Sequence, residues 1–191
     1  MIVLGILGDI GSGKSFVAKQ FNCPVFNADF EVNKIYKNNK FCYIKLKNKL
    51  PKFIKSFPIS KIELSKAILE NKDSLKKVIN IVHPIIRKKM NNFLKKNRTK
   101  RAVVLDIPLY FENKLNKNKD VVVFIDSNQK RIKKALKKRQ KTNTKLLKKL
   151  GILQISKHIK KKKSDYVIKN DFKGENLKKN IKILKTMIFK R

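Results

Sequence analysis

The 191-residue chain holds two cysteines, Cys23 and Cys42, and no tryptophan. Neither thiol sits in a ligand-like spacing, which argues against a disulfide framework or a cysteine metal site and fits a reducing cytoplasm. No apolar run approaches the ~18 residues that cross a bilayer, so no membrane partner is expected. The opening MIVLGILGD carries neither a basic leader nor a small-residue cleavage site, the marks of a secretory signal. Acidic residues are scarce too: 13 Asp and Glu stand against 50 Lys and Arg, for a formal net charge of +37. Such a balance attracts polyanions. The lysines, however, are spread along the whole chain, and Asn, Ile and Phe are abundant as well, the pattern of compositional drift. Four Tyr and no Trp leave little to stack on bases, and no nucleic-acid module is recognisable, so no nucleic-acid partner is expected.

What the chain does have is a core. Hydrophobic residues make up 41% of it, enough for one folded domain. Apolar, β-branched runs recur at 2–7, 24–28, 102–107, 121–125 and 165–168. They are continuous rather than alternating, which predicts strands covered by helices on both faces. The expected fold is therefore α/β, a three-layer sandwich around a parallel sheet. From about 31 to 95 apolar residues recur at three and four, the helical period, with Pro51, Pro58 and Pro84 expected to cut the region into short pieces. A second helical and very basic stretch runs from about 127 to 163, and ENLKKNIKILKTMIF closes the chain as a last helix.

Residues 8–15 read GDIGSGKS, between the first predicted strand and a helical SFVAKQF. Gly8, four residues, Gly13, Lys14 and Ser15 form the pattern of a loop that wraps phosphates. Gly8, Gly11 and Gly13 let the backbone turn tightly and aim its N–H groups inward, and the following helix adds its positive end. Lys14 is placed to reach β- and γ-phosphates, and the Ser15 hydroxyl to ligate Mg²⁺, so the pattern implies ATP and magnesium. A carboxylate at its second position, Asp9, is unexpected in a polyanion cradle; it is expected to point outward, toward a neighbouring lysine or the helical region. Asp29, Asp106, Glu112 and Asp126 each follow a predicted strand, where acceptor and metal groups of such folds gather. Each is also the kind of residue that caps a helix or forms a turn, and Asp106 fits a metal-holding residue and a turn residue equally.

Taken together, GDIGSGKS, NAD (27–29), HPIIRKKM (83–90), IPLYFE (107–112), Arg139, Gln154 and SDYVIKN (164–170) make the chain resemble the dephospho-coenzyme A kinases nearly end to end. The resemblance implies a P-loop kinase fold with a helical substrate domain at about 31–95 and a lid at about 139–163. The core then comprises about 1–30, 96–138 and 164–191. It implies phosphorylation of the ribose 3′-hydroxyl of dephospho-coenzyme A by ATP. Asp29 matches the proposed catalytic base. Residues Gly11, Ser12, Gly13, Lys14, Ser15 and Phe16 would cradle the ATP phosphates, and Arg139 would reach in from the lid. His83, Leu109 and Glu112 would help build the acceptor side. The chain departs from the family pattern at Asp9, Asn27, Ala135 and Gln140, and carries Lys61 and Lys160 at basic positions of the substrate domain and lid. The neighbouring readings are a small P-loop kinase for nucleoside monophosphates or shikimate, and a basic nucleic-acid-binding ATPase. No feature of the pattern sets an oligomeric state.

Overall fold

Residues 1–71, 73–137 and 144–190 are described by a computed structural model. Five strands form one sheet: β1 (Ile2–Gly8), β2 (Val25–Asn27), β3 (Ala102–Asp106), β4 (Val121–Ser127) and β5 (Tyr166–Asn170). All pairings are parallel and the spatial order is β2-β3-β1-β4-β5. From β1 the chain thus winds to one side and later to the other. The crevice beyond the carboxyl end of β1 lies where the winding reverses, the place where open parallel sheets bind ligands.

The continuous apolarity of the strands is explained by cover on both faces. On one face Leu4, Ile6, Val104, Val123 and Ile125 pack against α1 (Lys14–Gln20) and α9 (Gly174–Phe189) through Val17, Phe21, Leu177, Ile181 and Leu184. On the other face Leu7, Phe26, Leu105 and Phe124 meet α2 (Ala28–Asn38), α3 (Lys40–Lys49), α4 (Lys61–Glu70) and α5 (Ser74–Lys96). The expected three-layer sandwich is present. Gly5 has a packing reason: a Cβ there would lie 2.5 Å from the ring of Tyr110, which is fully buried across the strand. The Tyr110 hydroxyl donates to Asp120 at 2.5 Å, so the buried phenol is satisfied.

One expectation fails in the helical region. Pro84 does not break the chain; it lies inside α5, which runs 23 residues without interruption. An interior proline costs about 3 kcal/mol through its missing N–H and ring clash. Val78, Val82, Ile86 and Met90, spaced four apart along α5, are all buried. At about 1.5–3 kcal/mol each, their burial outweighs the proline.

The remaining helices are α6 (Gln129–Lys137), α7 (Thr144–Gly151) and α8 (Lys157–Lys162). Lys149 of α7 donates to the carbonyls of Ile68 at 2.7 Å and Leu69 at 2.9 Å, capping the negative end of α4 and tying the two helices together. Among the described residues, no helix is long and apolar enough to cross a membrane.

Candidate functional site

The phosphate-loop sequence folds as expected of it. Strand β1 ends at Gly8 and α1 begins at Lys14, with Gly13 as the capping residue in the left-handed region at φ 91°. Glycine is required there twice over, because a Cβ would lie 2.5 Å from Asn170 Nδ2. The loop is braced from behind. The Ser12 carbonyl accepts from Asn170 Nδ2 at 2.8 Å and from Ser127 Oγ at 3.0 Å, so the ends of β4 and β5 fix its position. Lys14 is buried and turns back on the loop, donating to the carbonyls of Gly8 at 3.1 Å and Asp9 at 2.9 Å. Burial lowers its pKa; Asp106 and then Asp29 pull it up, and Lys160 pushes it down. Phe16, by contrast, is largely exposed on α1.

Next to Lys14 three polar side chains meet, Ser15 from the first turn of α1 and Asn27 and Asp106 from the ends of β2 and β3. Ser15 Oγ donates to Asp106 Oδ2 at 2.6 Å. Asn27 Nδ2 donates to the same oxygen at 2.5 Å and to Ser15 Oγ at 3.3 Å, while its Oδ1 caps α2 by accepting from Phe30 N at 2.7 Å. An amide at position 27 thus does what a carboxylate would not: it donates to the buried Asp106. Asp106 is the last residue of β3, with its carboxylate against Ser15. Asp29, on the first turn of α2, lies close enough to feel Lys14, Asp106 and Lys61. Its burial raises its carboxyl pKa, Lys14 lowers it, Asp106 raises it and Lys61 lowers it, for a net upward shift.

Asp29 also lines a cleft of about 340 Å³ whose walls are mostly apolar, among them Ile10, Val32, Ile86, Leu109, Leu147 and Leu150. Its polar groups are few: Asp29, His83, Arg87, Asn113 and Gln154. Such a balance of apolar wall and sparse, placed polar groups is typical of small-molecule sites. Burial lowers the His83 pKa and the Arg87 charge adds to this, against a hydrogen bond with Asn113 that raises it. Arg87 Nη2 in turn donates to the Asn113 carbonyl at 3.0 Å. A second apolar recess of about 290 Å³ between α4, α5 and α7 shares Val32, His83, Leu109, Leu150 and Leu153 with the first.

IPLYFE sends consecutive side chains to different places. Leu109 faces the cleft, Tyr110 the core, and Glu112 the segment at Ile155 and Lys160. Glu112 Oε1 accepts from Ile155 N at 3.0 Å and lies 3.6 Å from Lys160 Nζ. Asp9 turns toward α6 and α8 rather than the helical region, and a lysine stands beside it: Oδ2 accepts from Gln129 Nε2 at 3.0 Å, and Oδ1 lies 3.8 Å from Lys160 Nζ. Asp126 is paired with Lys157 of α8 at 2.5 Å. Arg139 and Gln140 lie outside the described residues.

Several of these groups have little signal in the sequence. Ser127, Gln129 and Asn113 belong to no recognisable motif, and only the fold brings them to the loop and the cleft.

The family model described as CoaE dephospho-CoA kinase matches residues 2–176. A dephospho-CoA kinase from Bartonella quintana (strain Toulouse) is 28% identical over 181 residues, covering 92% of each chain. One from Fusobacterium nucleatum is 30% identical over 189 residues, covering 95% of each. Among solved structures, TT1252 from Thermus thermophilus has a TM-score of 0.77 at 24% identity, over 96% of this chain and 95% of that one. A dephospho-CoA kinase from Campylobacter jejuni has a TM-score of 0.66 at 23% identity, over 97% and 96%. A shikimate kinase from Bacteroides thetaiotaomicron reaches 0.51 at 10% identity, over 100% and 99%. These structural likenesses establish the fold as that of the P-loop kinases.

Proposed function

The chain belongs to the dephospho-CoA kinase family, and we propose that its cleft transfers the γ-phosphoryl group of ATP to the ribose 3′-hydroxyl of dephospho-coenzyme A. The single observation that carries the placement of the chemistry is Asp29. It is the acidic group of the apolar cleft, and it lies within electrostatic reach of the phosphate-loop lysine. A hydroxyl bound in the cleft and a phosphate on the loop would therefore meet at this carboxylate.

In this reading, ATP phosphates lie along the loop from Gly8 through Gly11, Ser12, Gly13, Lys14, Ser15 and Phe16, and Lys14 exchanges the carbonyls of Gly8 and Asp9 for phosphate oxygens. Asp29 accepts the proton of the attacking hydroxyl as the bond from its oxygen to phosphorus forms and the bond to the ADP oxygen breaks. Most of the rate comes from holding the reactants in line and from charges fixed before the reaction. Arg139 is assigned to the transferred phosphoryl group from the lid side. His83, Arg87 and Asn113 are assigned to the acceptor's polar groups, and Leu109 with the two recesses to its neutral arm. Glu112 supports the acceptor side by holding Ile155 in place.

Magnesium fits the residues present. Ser15 and Asp106 offer two oxygens 2.6 Å apart, one of them a buried carboxylate, which is the hard donor set this ion prefers. Those two residues would hold it; when bound, it neutralises charge on the β- and γ-phosphates. Among the described residues there is no cluster of three or more His, Cys, Asp or Glu suited to a resident metal, consistent with an ion that arrives with its nucleotide. We assign residues 31–95 to acceptor binding and 139–163 to the lid, and place the protein in the cytoplasm, where Cys23 and Cys42 would stay reduced.

The test is ADP release from Mg·ATP in the presence of dephospho-coenzyme A, AMP, shikimate or single-stranded RNA. Turnover with dephospho-coenzyme A alone is expected. Equal rates with all four would overturn the proposal.

A further inference from the structure

The mechanism leaves one buried charge unused. Lys160, on α8, has no solvent-exposed surface, yet its ammonium group is poorly satisfied. Its Nζ donates to the neutral Gln154 Oε1 at 3.0 Å, whereas the carboxylates of Glu112 and Asp9 stand at 3.6 and 3.8 Å, beyond hydrogen-bond range. An ammonium has three donors, and two of them have no hydrogen-bond acceptor among the described residues. A buried cation held this way gains from any anion that comes closer. Such an anion has a place nearby, because Asp9 stands between the loop lysine and Lys160: its carbonyl accepts from Lys14 at 2.9 Å, and its carboxylate faces Lys160. The two ammonium groups lie near enough for Lys160 to lower the pKa of Lys14.

We propose that Lys160 is a second triphosphate-binding cation, stored on Asp9 and Glu112 and drawn from Asp9 onto the phosphates when ATP binds. The proposal rests on the reading of residues 8–15 as the ATP site. The side chain moves, not the helix: α8 packs on β1 and β4, and Lys157 and Lys161 anchor it to Asp126 at 2.5 and 4.0 Å. Asp9 is a positioning residue in this scheme. It stays hydrogen-bonded to Gln129 and competes with the nucleotide for Lys160. An acidic residue in a phosphate loop then has a use: it holds a buried lysine in place beside the loop before the nucleotide arrives, at some cost in affinity.

The test measures ATP and AMP affinity by titration without acceptor, in the full chain. Lys160→Met is expected to weaken ATP about 10- to 100-fold, the range of a charge-assisted hydrogen bond, while AMP, which lacks the outer phosphates, changes by less than about threefold. Asp9→Asn keeps an acceptor for Gln129 but releases Lys160. It is expected to tighten ATP about threefold or more, and the gain should vanish in the Lys160→Met background. Unchanged ATP affinity in Lys160→Met, or equal weakening of ATP and AMP, would overturn the proposal. Should Lys160→Met fail to fold, Asp9→Asn decides alone: tighter ATP supports the proposal, and unchanged or weaker ATP refutes it. Turnover of dephospho-coenzyme A by the parent protein is followed in parallel. Its absence would defeat the acceptor assignment and leave the lysine result standing.

Discussion

The phosphate loop and the acceptor cleft meet at Asp29, a cleft residue within electrostatic reach of Lys14, and at Ile10, a loop residue that lines the cleft; they differ in almost everything else. The loop is one contiguous stretch, held by backbone geometry and by polar braces from β4 and β5. The cleft is assembled from α2, α5, the segment after β3 and α7, and its walls are side chains. Backbone recognition depends on glycines and on a fixed register, so it tolerates few changes and reads any triphosphate alike. Side-chain recognition depends on shape, so it is where one kinase of this fold differs from another.

The sharpest way to break that contrast is at Asp29. Asp29→Asn is expected to cut turnover with dephospho-coenzyme A about 10²- to 10⁴-fold while changing ATP affinity less than about threefold. Steady-state kinetics with nucleotide titration checks both. The same substitution is expected to stabilise the protein. Folded Asp29 holds its proton more tightly than the unfolded chain does, so its carboxylate subtracts stability as pH rises through the raised pKa. Thermal melts at pH 7 should show a higher Tm for Asp29→Asn, by about 2–4 °C for each kcal/mol, with the gap closing at low pH. A lower Tm at both pH values would mean that the carboxylate is structural.

Lys14→Ala should cost about 10²–10³ in kcat/KM and weaken ATP as well, because this lysine serves both holding and charge stabilisation. In the cleft, Leu109→Ala is expected to raise the KM for the acceptor about tenfold and leave kcat and ATP affinity near the parent values. If it weakened ATP instead, the two regions would not be separable. The smallest effect is on the pH profile: the acid limb of kcat/KM should lie above the ordinary carboxylate value of 3.8, since Asp29 must lose its proton to act as base. A limb at the ordinary value would remove Asp29 from that role.

The same contrast explains what could be read from the sequence. The loop, its strand and its helix were legible because their signal is local: glycines at fixed offsets between an apolar run and a helical period. The three-layer sandwich was legible from continuous apolar strands. Pro84 misled, since the helix signal it interrupts is weaker than the four buried residues that carry α5 through it. Asp106 could not be resolved because a metal-holding residue and a turn residue differ only in what stands opposite, and Ser15 lies 91 positions away. Leu150 and Asn113 look ordinary in the sequence; the cleft they share exists only once α5, α7 and the β3 end converge. Asp9 was odd in the sequence, and it is explained by Lys160, 151 positions downstream.

The most direct measurement is the identity of the product. Dephospho-coenzyme A incubated with the protein and Mg·ATP, then followed by ³¹P NMR, should gain one phosphomonoester resonance assigned to the ribose 3′-position, with one ADP formed per acceptor consumed. Asp29→Asn at the same ATP saturation should leave the acceptor unchanged over the same time. ADP appearing without a new phosphomonoester, or a phosphate placed elsewhere on the acceptor, would contradict the assignment.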